Sequence, residues 1–123
     1  MKKLVLIVIA ASLMAGVRTN REITVAAGTP VRLATSRLLV NRIFIQMKTA
    51  GTGRGYVMAG IPVGTTPAST TSAHLTAELC PATATAPGCA YTDSYPDGID
   101  VSLIWVDGSH TGDKITVSWE VSN

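Results

Sequence analysis

The end of the chain alternates between apolar and polar residues with strict regularity. Between Ile115 and Ser122 every second side chain is apolar, namely Ile115, Val117, Trp119 and Val121. Successive side chains of a β-strand point to opposite faces of its sheet, so this pattern predicts a strand with one face in a core and the other in water. The pattern therefore favours an antiparallel β-fold.

A second apolar segment precedes this strand. The residues from Asp100 to Val106 are predicted to form a strand with apolar side chains on both faces, Val101, Leu103 and Trp105 on one and Ile104 and Val106 on the other. Turn-forming residues fill the interval from Asp107 to Asp113. We therefore predict a β-hairpin that runs from Ile99 to Ser122.

Four earlier segments also have the composition of strands, and they cover residues 22–26, 31–35, 38–48 and 56–59. In the longest of them, Ile43, Ile45 and Met47 share one face. Residues 60–77 and 80–98 are predicted to be loops, and the second ends in a turn at Tyr95–Gly98. Residues 73–79 are compatible with a short helix or a short strand. Many short strands separated by turns indicate an all-β domain, a small antiparallel β-sandwich or a jelly-roll-like fold.

The start of the chain differs in composition from the rest. Lys2 and Lys3 precede an apolar run from Leu4 to Gly16, as in a secretory signal. The run is too short for a transmembrane helix. No small residue occupies the −3 position of a candidate cleavage site, where Leu13 or Met14 would lie. We therefore expect residues 1–20 to be an apolar leader, a signal-like segment or an N-terminal arm, and residues 21–123 to be the β-sandwich domain.

Two cysteines flank a segment rich in proline and alanine. A bond between Cys80 and Cys89 would close a short loop and would fit an oxidising compartment or an extracellular particle. The alternative is a pair of free thiols. Two cysteines without nearby histidines do not complete a tetrahedral metal site.

Other polar groups suggest chemistry only weakly. Three acidic residues (Asp93, Asp97 and Asp100) are close in sequence but lack the spacing of an EF-hand. Asp107, Ser109 and His110 include the residue types of a hydrolytic triad, yet near-neighbours on one turn rarely reach its geometry. The segment 51–55 matches no phosphate-binding fingerprint, and His74 has no evident ligand partners. We expect no catalytic residue, metal site or cofactor, and therefore no enzyme.

The charge balance argues against nucleic acid as a partner. Only 15% of the residues are charged, the net charge is +2, and no basic run is longer than Lys2-Lys3. Trp105 and Trp119 are predicted to be core or interface residues, with a carbohydrate-stacking platform as the alternative.

Two segments resemble small phage virion proteins of the decoration or head-associated kind. They are Gly28–Ala34 (GTPVRLA) and Ile99–Gly108 (IDVSLIWVDG), the latter followed by Gly112-Asp113 and a final strand. The resemblance covers most of Arg21–Asn123. It implies a β-sandwich structural protein of a virion, with other copies of itself or capsid proteins as partners and without catalytic residues.

A second interpretation comes from the leader-like start and the cysteine pair. These features are typical of a secreted or periplasmic β-sandwich binding module, including one that binds carbohydrate. Contact with a membrane is expected only through the leader, if it is retained.

Overall fold

Eight β-strands form the fold in the part of the chain that the computed structural model describes, which is residues 17–48, 53–61, 65, 67, 74–83, 85 and 87–121. The strands are β1 (Val17–Thr24), β2 (Val31–Arg32), β3 (Leu39–Met47), β4 (Gly55–Met58), β5 (Leu75–Leu79), β6 (Tyr91–Asp100), β7 (Trp105–Gly108) and β8 (Lys114–Val121). A 3-10 turn at Val101–Leu103 separates β6 from β7. No helix within these residues has the length and apolarity that a membrane crossing requires.

The strands form two antiparallel sheets of four. Sheet A has the order β1-β8-β3-β6, and sheet B has the order β2-β7-β4-β5. The first strand therefore pairs with the last, the second with the seventh, the third with the sixth and the fourth with the fifth. Such nested pairing is that of a long two-stranded ribbon rolled on itself, the topology of a jelly roll. The predicted all-β sandwich is confirmed.

The core lies between the sheets and depends on the predicted alternation. On β3, Ile43, Ile45 and Met47 are buried, whereas Phe44 between them is 38% exposed. On β8, Ile115, Val117 and Trp119 face the same interior. Sheet B contributes Val57 and Val106 to the same cluster. The two central strands of sheet A thus supply a continuous apolar layer, as their period of two requires.

The predicted hairpin from Ile99 to Ser122 is wrong. β7 pairs with β2 and β4 in sheet B, whereas β8 pairs with β1 and β3 in sheet A. Residues 109–113 cross from one sheet to the other, and their backbone forms hydrogen bonds with segments that are distant in sequence. The Ser109 amide donates to the Arg54 carbonyl at 2.9 Å, and the Gly112 amide donates to the Val25 carbonyl at 2.9 Å. A hairpin turn would instead join its own two flanking strands.

The predicted single strand from Asp100 to Val106 is also interrupted. The Asp100 carboxylate accepts hydrogen bonds from the Leu38 and Ser102 amides, at 3.1 and 3.0 Å, and so caps the 3-10 turn. This turn brings both Val101 and Ile104 into the core. The two-sided apolar pattern therefore reflects a change of direction, since a continuous strand would have placed these side chains on opposite faces.

The predicted loop over residues 80–98 contains an edge strand. β6 begins at Tyr91, and the turn predicted at Tyr95–Gly98 is a bulge within it. Pairing with β3 shifts between Val40↔Ile99 and Arg42↔Ser94, which leaves residues 95–98 outside the ladder. The Asn41 side-chain amide donates to the carbonyls of Tyr95 and Pro96, each at 3.2 Å. Gly98 adopts a φ of 84°, a conformation that favours glycine.

Other boundaries differ by a few residues. β1 begins at Val17, so the sandwich includes residues that the sequence assigns to the N-terminal segment. The remainder of that segment, residues 1–16, lies outside the described residues. The segment predicted as a helix or a strand at 73–79 forms strand β5, whereas β2 has only two residues. The predicted loop at 60–77 is described only at 60, 61, 65, 67 and from residue 74 onward.

The inward and outward faces of β3 can be distinguished by two neighbouring substitutions. Ile45 is fully buried, so Ile45→Ala should lower the free energy of unfolding by about 2–5 kcal/mol. Phe44→Ala, on the exposed face, should lower it by less than about 1 kcal/mol. Urea denaturation of both variants tests the assignment, and equal losses would contradict it.

Candidate functional site

The outer faces of the two sheets differ in how well they are covered. On sheet B, Met58 pairs with Trp105 on the face that points away from the core. Met58 is fully buried and Ile61 is 1% exposed, although neither belongs to the cluster between the sheets. The Ile61 amide donates to the Leu103 carbonyl at 3.3 Å. Met58 is therefore covered on the outer face of sheet B, and the chain after β4 continues beside the 3-10 turn as far as Ile61.

The two tryptophans are in different environments. Trp119 faces the core from sheet A and is 8% exposed. Trp105 lies on the outside of sheet B, where the Arg32 guanidinium is 5.8 Å from the centre of its ring. The indole Nε1 of Trp105 is buried and has no hydrogen-bond partner among the described residues. The structure therefore does not bring the two rings together into one stacking platform.

The outer face of sheet A holds a shallow groove of about 470 Å³. All four strands of the sheet contribute to it, and the residues along it include Arg18, Arg42, Phe44, Thr92, Ser118 and Glu120. Their side chains point outward because the alternate positions on the same strands supply the core. The Phe44 ring is an exposed aromatic surface among arginines and hydroxyl groups, a composition that suits binding of a partner.

The charges beside Phe44 are incompletely paired. The Arg18 guanidinium lies 3.8 Å from the Glu120 carboxylate, and both groups are partly in solvent. Arg42 makes no hydrogen bond or ion pair with any described residue. At the other end of this face, Glu22 pairs with Lys48, and this hydrogen bond lowers the pKa of the Glu22 carboxyl. The groove therefore contains two guanidinium groups and the carboxylates of Glu120 and Asp93, and Arg42 is the one of these four groups that makes no ion pair or hydrogen bond with a described residue.

Along β6, Tyr91, Asp93 and Tyr95 form a hydrogen-bonded cluster. Both tyrosine hydroxyls donate to the Asp93 carboxylate, the Tyr91 hydroxyl at 3.3 Å, and the Ser94 amide donates to it at 2.8 Å. The bond from Tyr95 is the main cause that lowers the pKa of Asp93, and the same bond raises the pKa of Tyr95. Burial is the main cause that raises the pKa of Tyr91.

The acidic residues around β6 do not converge as cation ligands. Asp93 is engaged by tyrosines, and Asp100 caps the 3-10 turn. Within the described ranges, no three histidine, cysteine or acidic side chains group as metal ligands would. His74 lies beside the start of β5 and belongs to no such group.

The triad-like residues do not form a relay. Ser109 Oγ lies 2.9 Å from His110 Nδ1, but the Asp107 carboxylate is turned away and accepts from the amides of Gly28 and Gly108 at 3.1 and 2.8 Å. Gly53 packs against this pair so closely that a Cβ on it would lie 2.3 Å from His110 Nδ1. The arrangement is that of a packed loop.

Gly53 of the glycine-rich segment 51–55 packs against the same loop, at Ser109 and His110. The Gly53 amide donates to the Asp113 carboxylate at 2.8 Å, so its N–H is used within the protein. Residues 51 and 52 lie outside the described part of the chain.

Cys80 and Cys89 are joined by a disulfide bond. Their Cα atoms are 4.8 Å apart, and each residue's amide donates to the other's carbonyl, at 3.1 and 3.0 Å. The bond lies between the end of β5 and the start of β6, which are edge strands of different sheets. It therefore fastens the connection that links the two layers on this side of the sandwich.

Comparison with known proteins does not assign this chain to a family. No protein-family model matches the chain, and no curated protein matches it. The chain is similar to a solved structure described as "Bacillus endospore appendages form a novel family of disulfide-linked pili", with 12% identity and a TM-score of 0.44 over 87% of this chain and 88% of that one. The assignment as a jelly roll depends on the strand pairing of the present structure.

Removal of the disulfide should destabilise the fold without changing it. The cysteines are nine residues apart, and a loop of that length predicts a loss of about 2–3 kcal/mol in the free energy of unfolding for the Cys80→Ser/Cys89→Ser variant. Urea denaturation measures the loss. A reducing agent should lower the stability of the wild-type protein by a similar amount and leave the variant unchanged. A reductant effect on the variant would contradict this explanation.

The Asp93 cluster should make stability depend on pH in the acid range. A carboxylate whose pKa is lowered by folding adds stability above its unfolded pKa and loses this contribution as pH falls through the folded value. Asp93→Asn should therefore be less stable than the wild type at pH 7, and the difference should shrink below about pH 4. Urea midpoints at pH 7 and pH 3 measure it.

Tyr95→Phe removes the main donor to Asp93 and serves as the matched variant. It should reproduce the loss at pH 7, and the double variant should add little to either single change because the two groups act together. Additive losses, or a difference that does not change with pH, would contradict the coupling.

Proposed function

We propose that the protein is a non-enzymatic structural protein of a phage particle, of the decoration or head-associated kind, which acts through protein contacts on the outer face of sheet A. One observation carries the proposal. The outer face of sheet A presents Phe44 in a groove to which all four of its strands contribute, whereas on the outer face of sheet B Met58 is buried and Leu75 is exposed on the edge strand β5.

The composition of the groove supports a protein partner. Aromatic residues and arginine are enriched in protein interfaces, and exposed rings often act as anchors that a partner surrounds. Phe44 is such a ring, with Arg42 and Arg18 along the same groove. A sheet face has its backbone groups engaged in the ladder, so a partner of this surface would be held by side chains.

The topology is compatible with the proposal and does not decide it. Jelly rolls serve as viral capsid and lectin domains among others, so a fold of this kind does not by itself imply one function. The resemblance of Gly28–Ala34 and Ile99–Gly108 to small virion proteins favours the particle over the other uses of the fold.

A second candidate is a secreted or periplasmic binding module. The disulfide between Cys80 and Cys89 favours it, because such bonds persist in oxidising compartments. A groove of about 470 Å³ is also within the size range of small-molecule sites. For this candidate the ligand would contact Phe44 and the groove residues around it, whereas Trp105 lies on the other sheet.

The location of the protein separates these candidates. Particles purified on density gradients from cells that produce the protein should contain it, as measured by mass spectrometry. Phe44→Ser should reduce its amount per particle by about tenfold or more, because hot-spot anchors carry most of an interface's binding energy. Gln46→Ser, on the same exposed face of β3 but outside the groove, should have no effect.

Two results would contradict the structural role. One is absence of the protein from purified particles. The other is recovery of free protein in the medium or periplasm with a processed N-terminus, which would support the binding module.

A further inference from the structure

The carboxylates of this protein are almost completely paired. The chain has eight aspartate and glutamate residues, all within the described ranges. Three form ion pairs with basic side chains, and four accept hydrogen bonds from backbone amides or hydroxyl groups. Asp97 differs from the others, because no described residue donates to it. It lies exposed on the bulge of β6, next to the exposed Pro96.

An unpaired cation lies on the strand next to this carboxylate. Arg42 is exposed and makes no hydrogen bond or ion pair with the described residues, although it lies in the groove beside Phe44. Arg42 pairs in the ladder with Ser94, and the bulge that contains Asp97 begins at the next residue of β6. Two groups of opposite charge therefore lie on the neighbouring strands β3 and β6 of sheet A without forming an ion pair with one another.

We propose that a second copy of this chain docks on this surface around a two-fold axis. In this arrangement Asp97 of each copy pairs with Arg42 of the other, and the Pro96–Asp97 bulge of each enters the groove of the other against Phe44. A patch that presents both members of a charge pair is self-complementary, which is the requirement of a two-fold interface. The inference rests on the proposed function, since it assigns the same face of sheet A to contacts between copies.

A second copy fits this patch better than an unrelated acidic peptide does. Such a peptide would neutralise Arg42 but would leave Asp97 unpaired, whereas a copy related by the two-fold axis satisfies both charges twice. An ion pair in water contributes little. Here the apolar surfaces of Pro96 and Phe44 exclude water from the contact, and charge pairs at desolvated interfaces couple more strongly. The planar guanidinium also matches a carboxylate with two parallel hydrogen bonds.

Charge exchange between the two positions tests the proposal. Sedimentation equilibrium of the full chain should show reversible self-association. Arg42→Asp and Asp97→Arg should each raise the dissociation constant by about tenfold or more, because each places like charges in contact twice. The combined variant Arg42→Asp/Asp97→Arg should restore association to near the wild-type value. Lys114→Asp, a charge reversal outside the groove, should leave the dissociation constant unchanged.

The outcomes are decisive in either direction. Rescue by the combined variant, together with weaker association at higher salt, supports the two-fold contact. A wild-type protein that stays monomeric at all concentrations overturns it, as does weakening by both single variants without rescue. Circular dichroism and thermal melting confirm that each variant is folded.

Failure of the two-fold contact can be distinguished from failure of the proposed structural role. Protein that is incorporated into particles but monomeric in solution overturns the two-fold contact and leaves the structural role intact. Protein that self-associates, with rescue by the combined variant, but is absent from particles overturns the structural role and leaves the two-fold contact intact.

Discussion

The pairing of β3 with β8 at the centre of sheet A is the interaction on which the rest of the structure depends. Six residue pairs join the strands, from Arg42↔Glu120 to Met47↔Ile115. Both strands alternate, so one register places the apolar side chains of both on the core side and the polar ones outside. A shift by one residue would expose Ile45 and bury Arg42. The register of β3 with β8 therefore determines both the core on one face of sheet A and the groove on the other.

The outer faces of the two sheets differ in which side chains they expose to water. The outer face of sheet B is covered at Met58, which is buried, and the Arg32 guanidinium lies over Trp105, whereas Leu75 on the edge strand β5 is exposed. Sheet A leaves its outer face in water and fills it with charged, hydroxyl and amide side chains around Phe44. Contacts with other molecules are therefore expected on sheet A, because side chains of its four strands line one groove there.

How much of this could be predicted from the sequence depends on the range of the interactions. The alternation on β3 and β8 is local, so their buried and exposed faces follow directly from the order of residues. Strand partners are not local. The period of β8 does not reveal whether it pairs with β7 or with β3, and that choice depends on bonds from the 109–113 segment to Arg54 and Val25. The Tyr95–Gly98 turn became a bulge for a similar reason, since Asn41 of another strand holds it.

The candidate site was missed for a related reason. Residue type drew attention to the two tryptophans, but one faces the core and the other lies on the opposite sheet. Phe44 was recognisable as the apolar member of a polar face. Its neighbours Arg18, Ser118 and Thr92 come from three other strands, however, and their proximity is a property of the strand order.

The strand order also has a consequence for how the protein is made. β8, the latest of the eight strands to leave a ribosome, lies between β1 and β3 in sheet A, and Val17 pairs with Val121. Until β8 emerges, β1 has no partner and β3 pairs only with β6. Assembly of sheet A therefore waits for β8, and folding of the sandwich should be slow, as in other domains dominated by distant contacts. During this interval β1 lacks its partner strand and is available to factors that recognise unfolded segments.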